Sequence, residues 1–438
     1  MVTERAESDP VEVWPALLKT LRHFFPDFRS WLASLCDPRF IVYPIGYVVA
    51  AGLMLFLTKL GARRQIRFQF GTSSFIKNLN LLCGTSCETM LHPDTLAYLA
   101  ARLPPAELED LRHGMMYALL RRKGFEKDRL LGQGYRVAID MTGHLAFTER
   151  HCDHCLSQKQ GEKTLYYHMA LEAKLVTPDG LSLSLATEFV ENPAPDVSKQ
   201  DCERKALVRL ADRLKGDYPQ LSICLRMDSL YACGPVFELC RKNRWRFLVT
   251  FKEGSAPAVF EDYEQLKAAG AAPRRHVRDG VSQAYQWVTG VAFRGHAVNV
   301  LECVEMRPDK KTTRFVWATD LPVDESNHVE VATGGGRQRW KIENQGFNIQ
   351  KNNGYELEHA YSENGRAVKN FYLLLQIAHI IAQLLEKGLL AKELPTQIGA
   401  LRNVARLLLK ELRRVDPDLP RLEEDLARRI QIRLCDSS

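Results

Sequence analysis

The stretch that decides the fold is Tyr135–Asp140, YRVAID, a run of strand-forming residues that ends on a carboxylate. A second run of this kind, LSICLRMD, ends at Asp228. Both have the apolar, β-branched character of buried strands. Open α/β sheets place their chemistry at the carboxyl ends of strands, so we expect Asp140 and Asp228 to lie together at one sheet edge. Either aspartate alone could instead be a turn or helix-capping residue.

A third carboxylate lies in the stretch 337–351, RQRWKIENQGFNIQK, which predicts a helix interrupted at Gly346. Arg339, Glu343 and Phe347 are spaced four residues apart and would share one helical face. An Arg/Glu pair at this spacing is often only a surface ion pair. The two upstream aspartates favour a functional interpretation of Glu343. Three carboxylates that converge from two strand ends and a later helix could bind two divalent cations, and oxygen ligands favour Mg²⁺ or Mn²⁺.

Composition places the chain among ordinary globular proteins. It has 438 residues, of which 45% are hydrophobic and 26% are charged, enough for roughly two to three domains. The net charge of +7 permits a nucleic-acid partner without requiring one. Eleven cysteines with no regular framework predict a reducing compartment, and the polar, acidic start predicts no secretory signal. We therefore expect a cytoplasmic protein.

One apolar run, residues 40–57 (FIVYPIGYVVAAGLMLFL), reaches the lower length limit of a membrane span. Pro44 and Gly46 interrupt its first third, and nothing else in the chain resembles a membrane protein. We interpret the run as a buried helix and expect no membrane partner, with a membrane-anchored protein as the alternative.

The pattern along the chain predicts four regions. Residues 1–130 show helical spacing and basic clusters, so they form a helical region that could dock on DNA. Residues 131–252 and 332–385 alternate strands with helices and form an α/β domain. Residues 253–331 contain alternating strand-like runs and form a β-rich insertion within it. Residues 386–438 form a helical carboxyl-terminal region.

These features together resemble the DDE-type bacterial insertion-sequence transposases, whose catalytic domain is ribonuclease H-like. The resemblance covers roughly residues 135–385 and rests on three motifs: VAIDMTG with Asp140, DSLY with Asp228 and Tyr231, and RWKIEN with Arg339, Trp340 and Glu343. The order of a strand meander followed by helix, strand, helix and strand also fits such a domain. The fold implied is a ribonuclease H-like mixed sheet flanked by helices.

Two positions depart from the pattern of that family. A tyrosine usually stands three residues before the arginine, where this chain has Gly336. A lysine usually stands seven residues after the glutamate, where this chain has Gln350. Lys351 follows it, about 80° round an ideal helix from Glu343. Either the helix is distorted near Gly346 so that Lys351 binds phosphate, or this chain dispenses with that lysine.

The resemblance implies DNA cleavage and strand transfer by in-line phosphoryl transfer with two Mg²⁺ or Mn²⁺ ions. Asp140 would contact both ions, with Asp228 and Glu343 each completing one site. The implied DNA-contacting residues are Arg339, Trp340, Lys351 and Tyr231. Arg339 would hold the scissile phosphate or orient Glu343, whereas Trp340 would stack on a flipped base or pack in the core.

The implied partners are terminal inverted repeats and target DNA, and a homodimer is the simplest way to synapse two ends. Two alternatives remain open. One is a decayed or domesticated copy that binds DNA without cutting it. The other is a ribonuclease H-like nuclease without strand transfer.

A second cluster could hold zinc. The sequence ERHCDHCL contains a Cys-x-x-Cys pair with adjacent histidines: His151, Cys152, His154 and Cys155. Further ligands would have to come from elsewhere, with His168, Cys83 and Cys87 as candidates. The alternative is a turn with unpaired thiols.

Overall fold

The computed structural model describes residues 12–38, 42–150, 152–194, 197–278, 280–309, 311–387 and 401–414, together with 416, 420, 423 and 424. These residues form two compact units. The helical unit consists of the described parts of Met1–Gly124 and Ile349–Ser438. The sheet unit consists of the described parts of Phe125–Asn348. The predicted segment 332–385 therefore divides between the two units after residue 348.

Helices form the first part of the helical unit: α1 (Val13–Phe24), α2 (Phe28–Ser34), α3 (Ile45–Leu57), α4 (Gln65–Gln69), α5 (Ser73–Cys83), α6 (Pro93–Arg102) and α7 (Pro105–Arg121). Helix α3 contains residues 45–57 of the apolar run, and it begins directly after Pro44, whose ring is compatible with a helix start. Every residue of α3 is buried. Phe40 lies outside the described residues. The interpretation of residues 45–57 as a buried helix is confirmed.

The sheet unit contains ten strands and three helices in chain order: β1 (Tyr135–Phe147), β2 (Leu156–Gln160), β3 (Lys163–Val176), β4 (Ser182–Val190), α8 (Glu203–Asp217), β5 (Ile223–Met227), α9 (Gly234–Asn243), β6 (Arg246–Thr250), α10 (Pro257–Ala268), β7 (Arg274–Arg278), β8 (Val281–Phe293), β9 (His296–Met306) and β10 (Thr312–Thr319). The strand order is β2-β3-β1-β5-β6-β10-β9-β8-β7, and β4 also pairs with β3. The α/β class and the mixed sheet flanked by helices are confirmed.

Only two ladders among the described strands are parallel, β1 with β5 and β5 with β6. Each parallel step is connected through a helix, α8 before β5 and α9 before β6, as parallel pairing requires. The strands β7–β10 continue the same sheet because β10 pairs antiparallel with β6. Residues predicted to form a β-rich insertion thus extend the sheet, and their inner face packs around Trp317, Tyr285 and Leu301.

The segment after β10 differs from the predicted regular helix. It contains a π-helical turn (Glu330–Gly335), a 3₁₀ turn (Gly336–Arg339) and a second π-helical turn (Ile342–Phe347). A π turn closes between residues five apart, so Ile342 and Phe347 lie on the same side. Both pack in one cluster with residues of β1 and β3. The expectation that Phe347 shares a face with Glu343 stays a prediction.

The remaining helices are α11 (Asn348–Asn352), α12 (Gly365–Lys387) and α13 (Leu401–Arg414). Helix α12 packs against α3, α6 and α7 and forms the centre of the helical unit. By length and hydropathy it could cross a membrane, yet 94% of its apolar window is buried inside the protein. Burial of this kind is what a core helix shows, and the architecture is compatible with a soluble protein.

The last turn of α12 generates a prediction about pH and stability. Burial raises the pKa of Glu386 to about 7 from 4.5, although the charges of Lys59 and Lys387 oppose the shift. Because the folded state holds the proton more tightly than the unfolded chain, stability falls as pH rises from 4.5 through 7. We expect Glu386→Gln to raise the free energy of unfolding at pH 8 by on the order of 2 kcal/mol and to leave it unchanged near pH 4. Thermal unfolding across this pH range measures the effect, with the exposed Glu363→Gln as control; equal pH profiles for Glu386→Gln and wild type would contradict it.

Candidate active site

The register of β1 and β5 brings the first two predicted carboxylates to the same level. Ala138 pairs with Arg226 in the parallel ladder, so continuing two residues along both strands places Asp140 beside Asp228. The backbone at Asp228 is still extended (φ −80°, ψ −178°), so the register carries through. Neighbouring strands lie about 4.8 Å apart, and side chains two residues along stay on the same face. The two aspartates therefore occupy adjacent positions on one face of the sheet.

Asp140 is the most connected of the three carboxylates. Its Oδ2 accepts a hydrogen bond from Arg339 Nη1 at 3.0 Å, and its Oδ1 accepts one from the Met141 backbone N–H at 3.0 Å. Burial raises the pKa of Asp140, whereas these two contacts oppose the rise. The charges of Asp228 and Glu343 raise this pKa further. All three predicted carboxylates thus interact electrostatically, and a cation between them would be favoured.

Among the described residues, the three ligand atoms that lie within 4.8 Å of one another belong to Cys152, Cys155 and His168. The oxygens of Asp140, Asp228 and Glu343 do not form such a compact set.

Arg339 lies beside Asp140, and Trp340 lies next to Arg339. The ion pair of Arg339 is with the first carboxylate, Asp140. Its guanidinium carbon lies 5.2 Å from the centre of the Trp340 ring. Trp340 is 52% exposed, which excludes the core-packing alternative. An exposed aromatic ring next to an arginine can stack on a ligand.

Asp228 also caps the 3₁₀ turn Ser229–Tyr231. Its Oδ1 accepts a hydrogen bond from the Leu230 backbone N–H at 2.9 Å. The turn-capping alternative is therefore correct for this oxygen. Capping uses this oxygen of Asp228 and does not exclude a second role for the carboxylate.

A fourth carboxylate, missed in the sequence, lies near the pair. Glu203 is the first residue of α8, and its Oε1 accepts a hydrogen bond from the Tyr231 hydroxyl at 2.6 Å. Burial raises the pKa of Glu203, and the charges of Asp228 and Asp140 raise it further. Tyr231 itself is 0% exposed, so the expected direct DNA contact by Tyr231 is corrected: its hydroxyl positions Glu203. An acidic residue in a first helical turn is common, so no sequence signal distinguished Glu203.

Two buried arginines attach the segment that carries Arg339 and Glu343 to the sheet. Arg136 Nε on β1 and Arg226 Nη2 on β5 each donate to the carbonyl of Gly334 at 2.9 Å. Both side chains are buried, and burial lowers the pKa of Arg226 to about 9. Charged donors make strong hydrogen bonds in such surroundings. The strands β1 and β5, which position the two aspartates, are thereby tied to the turn that precedes Glu343.

The position of Gly336 explains one departure from the transposase pattern. A Cβ at residue 336 would lie 2.2 Å from Cε2 of Trp317, a buried residue of β10. The indole ring fills the space that a side chain at this position would need. A tyrosine cannot stand here while Trp317 keeps its place.

Lys351 and Gln350 belong to the helical unit. Gln350 is buried and donates through Nε2 to Gln376 Oε1 at 2.9 Å. Lys351 Nζ lies 3.0 Å from Glu358 Oε1. The 80° offset was calculated for an ideal helix, and the wide turn Ile342–Phe347 invalidates that calculation. The DNA contact of Lys351 stays a prediction.

The predicted zinc cluster is only partly assembled. Cys152 and Cys155 lie together with His168 of β3. The ring of His154 instead contacts the Asn192 carbonyl at 2.9 Å through Nδ1. His151 lies outside the described residues, and Cys83 belongs to the helical unit. The expectation that His154 is a ligand is therefore corrected in favour of His168.

No protein-family model matches this sequence, and no curated protein matches it. The functional argument therefore depends on the geometry of the chain's own residues.

The contact at Gly336 generates a prediction. We expect Gly336→Ala to lower the free energy of unfolding by about 1–3 kcal/mol, because a methyl group would overlap the indole ring of Trp317. Urea unfolding measures this, with Gly216→Ala as control, since a Cβ at Gly216 meets no atom within 4 Å. The same change in a Trp317→Leu background should cost less; an equal cost in both backgrounds would show that the ring is not the obstacle.

Proposed function

We propose that this protein is a DDE-type DNA transposase that cleaves and joins DNA by divalent-metal-dependent phosphoryl transfer. The observation that carries the proposal is the parallel register of β1 and β5, which sets Asp140 beside Asp228. The charge of Glu343 also raises the pKa of Asp140. Three acidic groups from two adjacent strand ends and a later turn are the arrangement that this chemistry needs.

The topology supports a ribonuclease H-like catalytic domain. The antiparallel strands β1, β3 and β4 are followed by α8, β5, α9 and β6, with β5 and β6 parallel to β1. This is the order expected for such a domain, with β2 as an added strand. The strands β7–β10 lie between Asp228 and Glu343 in the chain, within the region predicted to be a β-rich insertion.

The donor set fits two Mg²⁺ or Mn²⁺ ions. The carboxylates of Asp140, Asp228 and Glu343 offer hard oxygen ligands. Burial raises the pKa of Asp140, and the charges of Asp228 and Glu343 raise it further. When bound, such ions activate the attacking hydroxyl or water and stabilise the leaving oxygen. Asp140 would contact both ions, whereas Asp228 and Glu343 would each hold one.

The other side chains hold DNA or position the carboxylates. Arg339 can exchange its carboxylate partner for a phosphate oxygen, because a guanidinium binds both groups in the same geometry. Trp340 offers its exposed ring to an unstacked base. Tyr231 keeps Glu203 directed towards the two aspartates.

The proposed partners are the terminal inverted repeats of the element and its target DNA, bound by a homodimer that synapses two ends. The same carboxylates would serve a nuclease without strand transfer, and a protein that binds DNA without cutting would not need them. An integration assay separates these alternatives.

The proposal generates a prediction about the three carboxylates. Purified protein with Mg²⁺ should nick a supercoiled plasmid that carries the DNA flanking the coding sequence. We expect Asp140→Asn, Asp228→Asn and Glu343→Gln each to lower the rate by about 10³-fold or more, because each removes a metal-ligating charge. Gel analysis of nicked product measures the rate, and calorimetric titration with Mn²⁺ measures cation binding separately.

Asp212→Asn is the matched control, since Asp212 is exposed on α8 of the same unit. Its nicking rate should equal that of wild type, and all variants should retain DNA binding in a mobility-shift assay. Undiminished nicking by Asp140→Asn would overturn the proposed active site. Nicking without joined products would favour a nuclease.

A further prediction concerns Tyr231. We expect Tyr231→Phe to lower the nicking rate by about 10-fold while plasmid binding stays within about twofold, because the buried hydroxyl positions Glu203 and touches no DNA. Glu203→Gln keeps a hydrogen-bond acceptor but removes the charge, and should weaken Mn²⁺ binding. If Tyr231→Phe instead reduced DNA affinity and left the nicking rate at saturation unchanged, the residue would be a DNA contact after all.

A further inference from the structure

A second group of ligand atoms lies in the sheet unit. The sulfur atoms of Cys152 and Cys155 are 3.4 Å apart. Nε2 of His168 lies 3.5 Å from the first sulfur and 3.4 Å from the second. The three atoms form a nearly equilateral triangle at the base of β2.

The size of this triangle fits a tetrahedral metal site. Zn–S bonds of about 2.3 Å and Zn–N bonds of about 2.0 Å give ligand-to-ligand distances of roughly 3.4–3.8 Å. A disulfide would bring the two sulfurs to about 2.05 Å and would give the histidine no role. The equal approach of His168 Nε2 to both sulfurs distinguishes a metal site from a redox-active pair of thiols.

Hydrogen bonds hold the loop that contains Cys152 and Cys155, as in many metal-binding loops. The backbone N–H groups of His154 and Cys155 both donate to the sulfur of Cys152. Asn192 holds the loop from outside, since its Nδ2 donates to the Cys155 carbonyl at 2.9 Å and its N–H donates to the His154 carbonyl at 3.1 Å. Hydrogen bonds of this kind orient metal ligands and fix their charge.

We propose that Cys152, Cys155 and His168 bind a structural Zn²⁺ ion that fastens the β1–β2 connection to β3. Two thiolates and an imidazole are soft and intermediate ligands, which favour Zn²⁺ over the Mg²⁺ proposed for the carboxylates. Structural zinc is four-coordinate, and these three side chains supply three of its four ligands.

The ion would stabilise the strand that carries the proposed active site without taking part in it. His168 is opposite Leu145 where the register of β1 and β3 shifts, and the same two strands pair regularly up to Asp140. A cross-link at the irregular end of this ladder would prevent it from fraying. This role does not depend on the proposed transposase activity.

The experiment is elemental analysis of untagged protein purified without chelator. Wild type should contain about one equivalent of zinc, whereas Cys152→Ser, Cys155→Ser and His168→Ala should each contain less than about 0.2. His154→Ala and Cys202→Ser are the controls, a neighbouring histidine outside the triangle and an exposed thiol, and both should keep about one equivalent. Loss of zinc in His154→Ala but not in His168→Ala would overturn the ligand set.

Two measurements on wild type keep the proposal testable where a variant fails to fold. X-ray absorption at the zinc edge should show two sulfur neighbours at about 2.3 Å and nitrogen at about 2.0–2.1 Å. Removal of zinc by a chelator should lower the unfolding midpoint by about 5 °C or more. Less than about 0.2 equivalents of zinc after reconstitution, a shell without sulfur, or an unchanged midpoint would each overturn the proposal.

Discussion

The carbonyl of Gly334 is the point on which the geometry of the site depends. Arg136 from β1 and Arg226 from β5 both donate to it, and both guanidinium groups are buried. Arg136 precedes Asp140 by four residues and Arg226 precedes Asp228 by two, so one acceptor ties together the two strands that position the aspartates. A buried guanidinium without an acceptor costs several kcal/mol, so the fold strongly favours keeping the segment in this place. The third carboxylate then follows nine residues later, already against the sheet.

Close approach to the sheet explains why this segment begins with glycines. A Cβ at Gly335 would lie 2.7 Å from Leu248 of β6, and one at Gly336 would meet Trp317 at 2.2 Å. Side chains at these positions would push the backbone away from the two arginines. The π-helical turn Ile342–Phe347 follows these glycines. Its first and last residues, Ile342 and Phe347, both pack against the sheet. Apolar packing on one side of the turn thus leaves the adjacent Glu343 half-buried near the aspartates.

Features that depend on the local sequence pattern were predicted, whereas features that depend on tertiary packing were not. The buried strands that lead to Asp140 and Asp228 were predicted correctly because a buried strand has a clear composition. The predicted end of the first strand at Asp140 was wrong, because β1 continues to Phe147. The regular helix expected around Glu343 is instead a series of π-helical and 3₁₀ turns. Sequence periodicity does not show how closely a run of glycines approaches a sheet. Glu203 was missed because its partner lies 28 residues away in the chain. His168 replaced the expected histidine for the same reason, since antiparallel pairing, and not sequence proximity, brings it to the cysteines.

The charge balance of the carboxylate group argues for a functional role. The proposed catalytic trio has one arginine beside it, Arg339, which pairs with Asp140. Burial raises the pKa of Asp140, the charge of Arg339 opposes this rise, and the charges of Asp228 and Glu343 add to it. A group chosen only for stability would pair its charges or replace them with apolar residues, because partly buried like charges oppose folding. Acidic groups with perturbed pKa values that gather in one place are characteristic of sites that bind cations or move protons. The ion pair between Arg339 and Asp140 therefore represents a partial neutralisation, which a divalent cation at the carboxylates would complete and which would release the guanidinium for a phosphate.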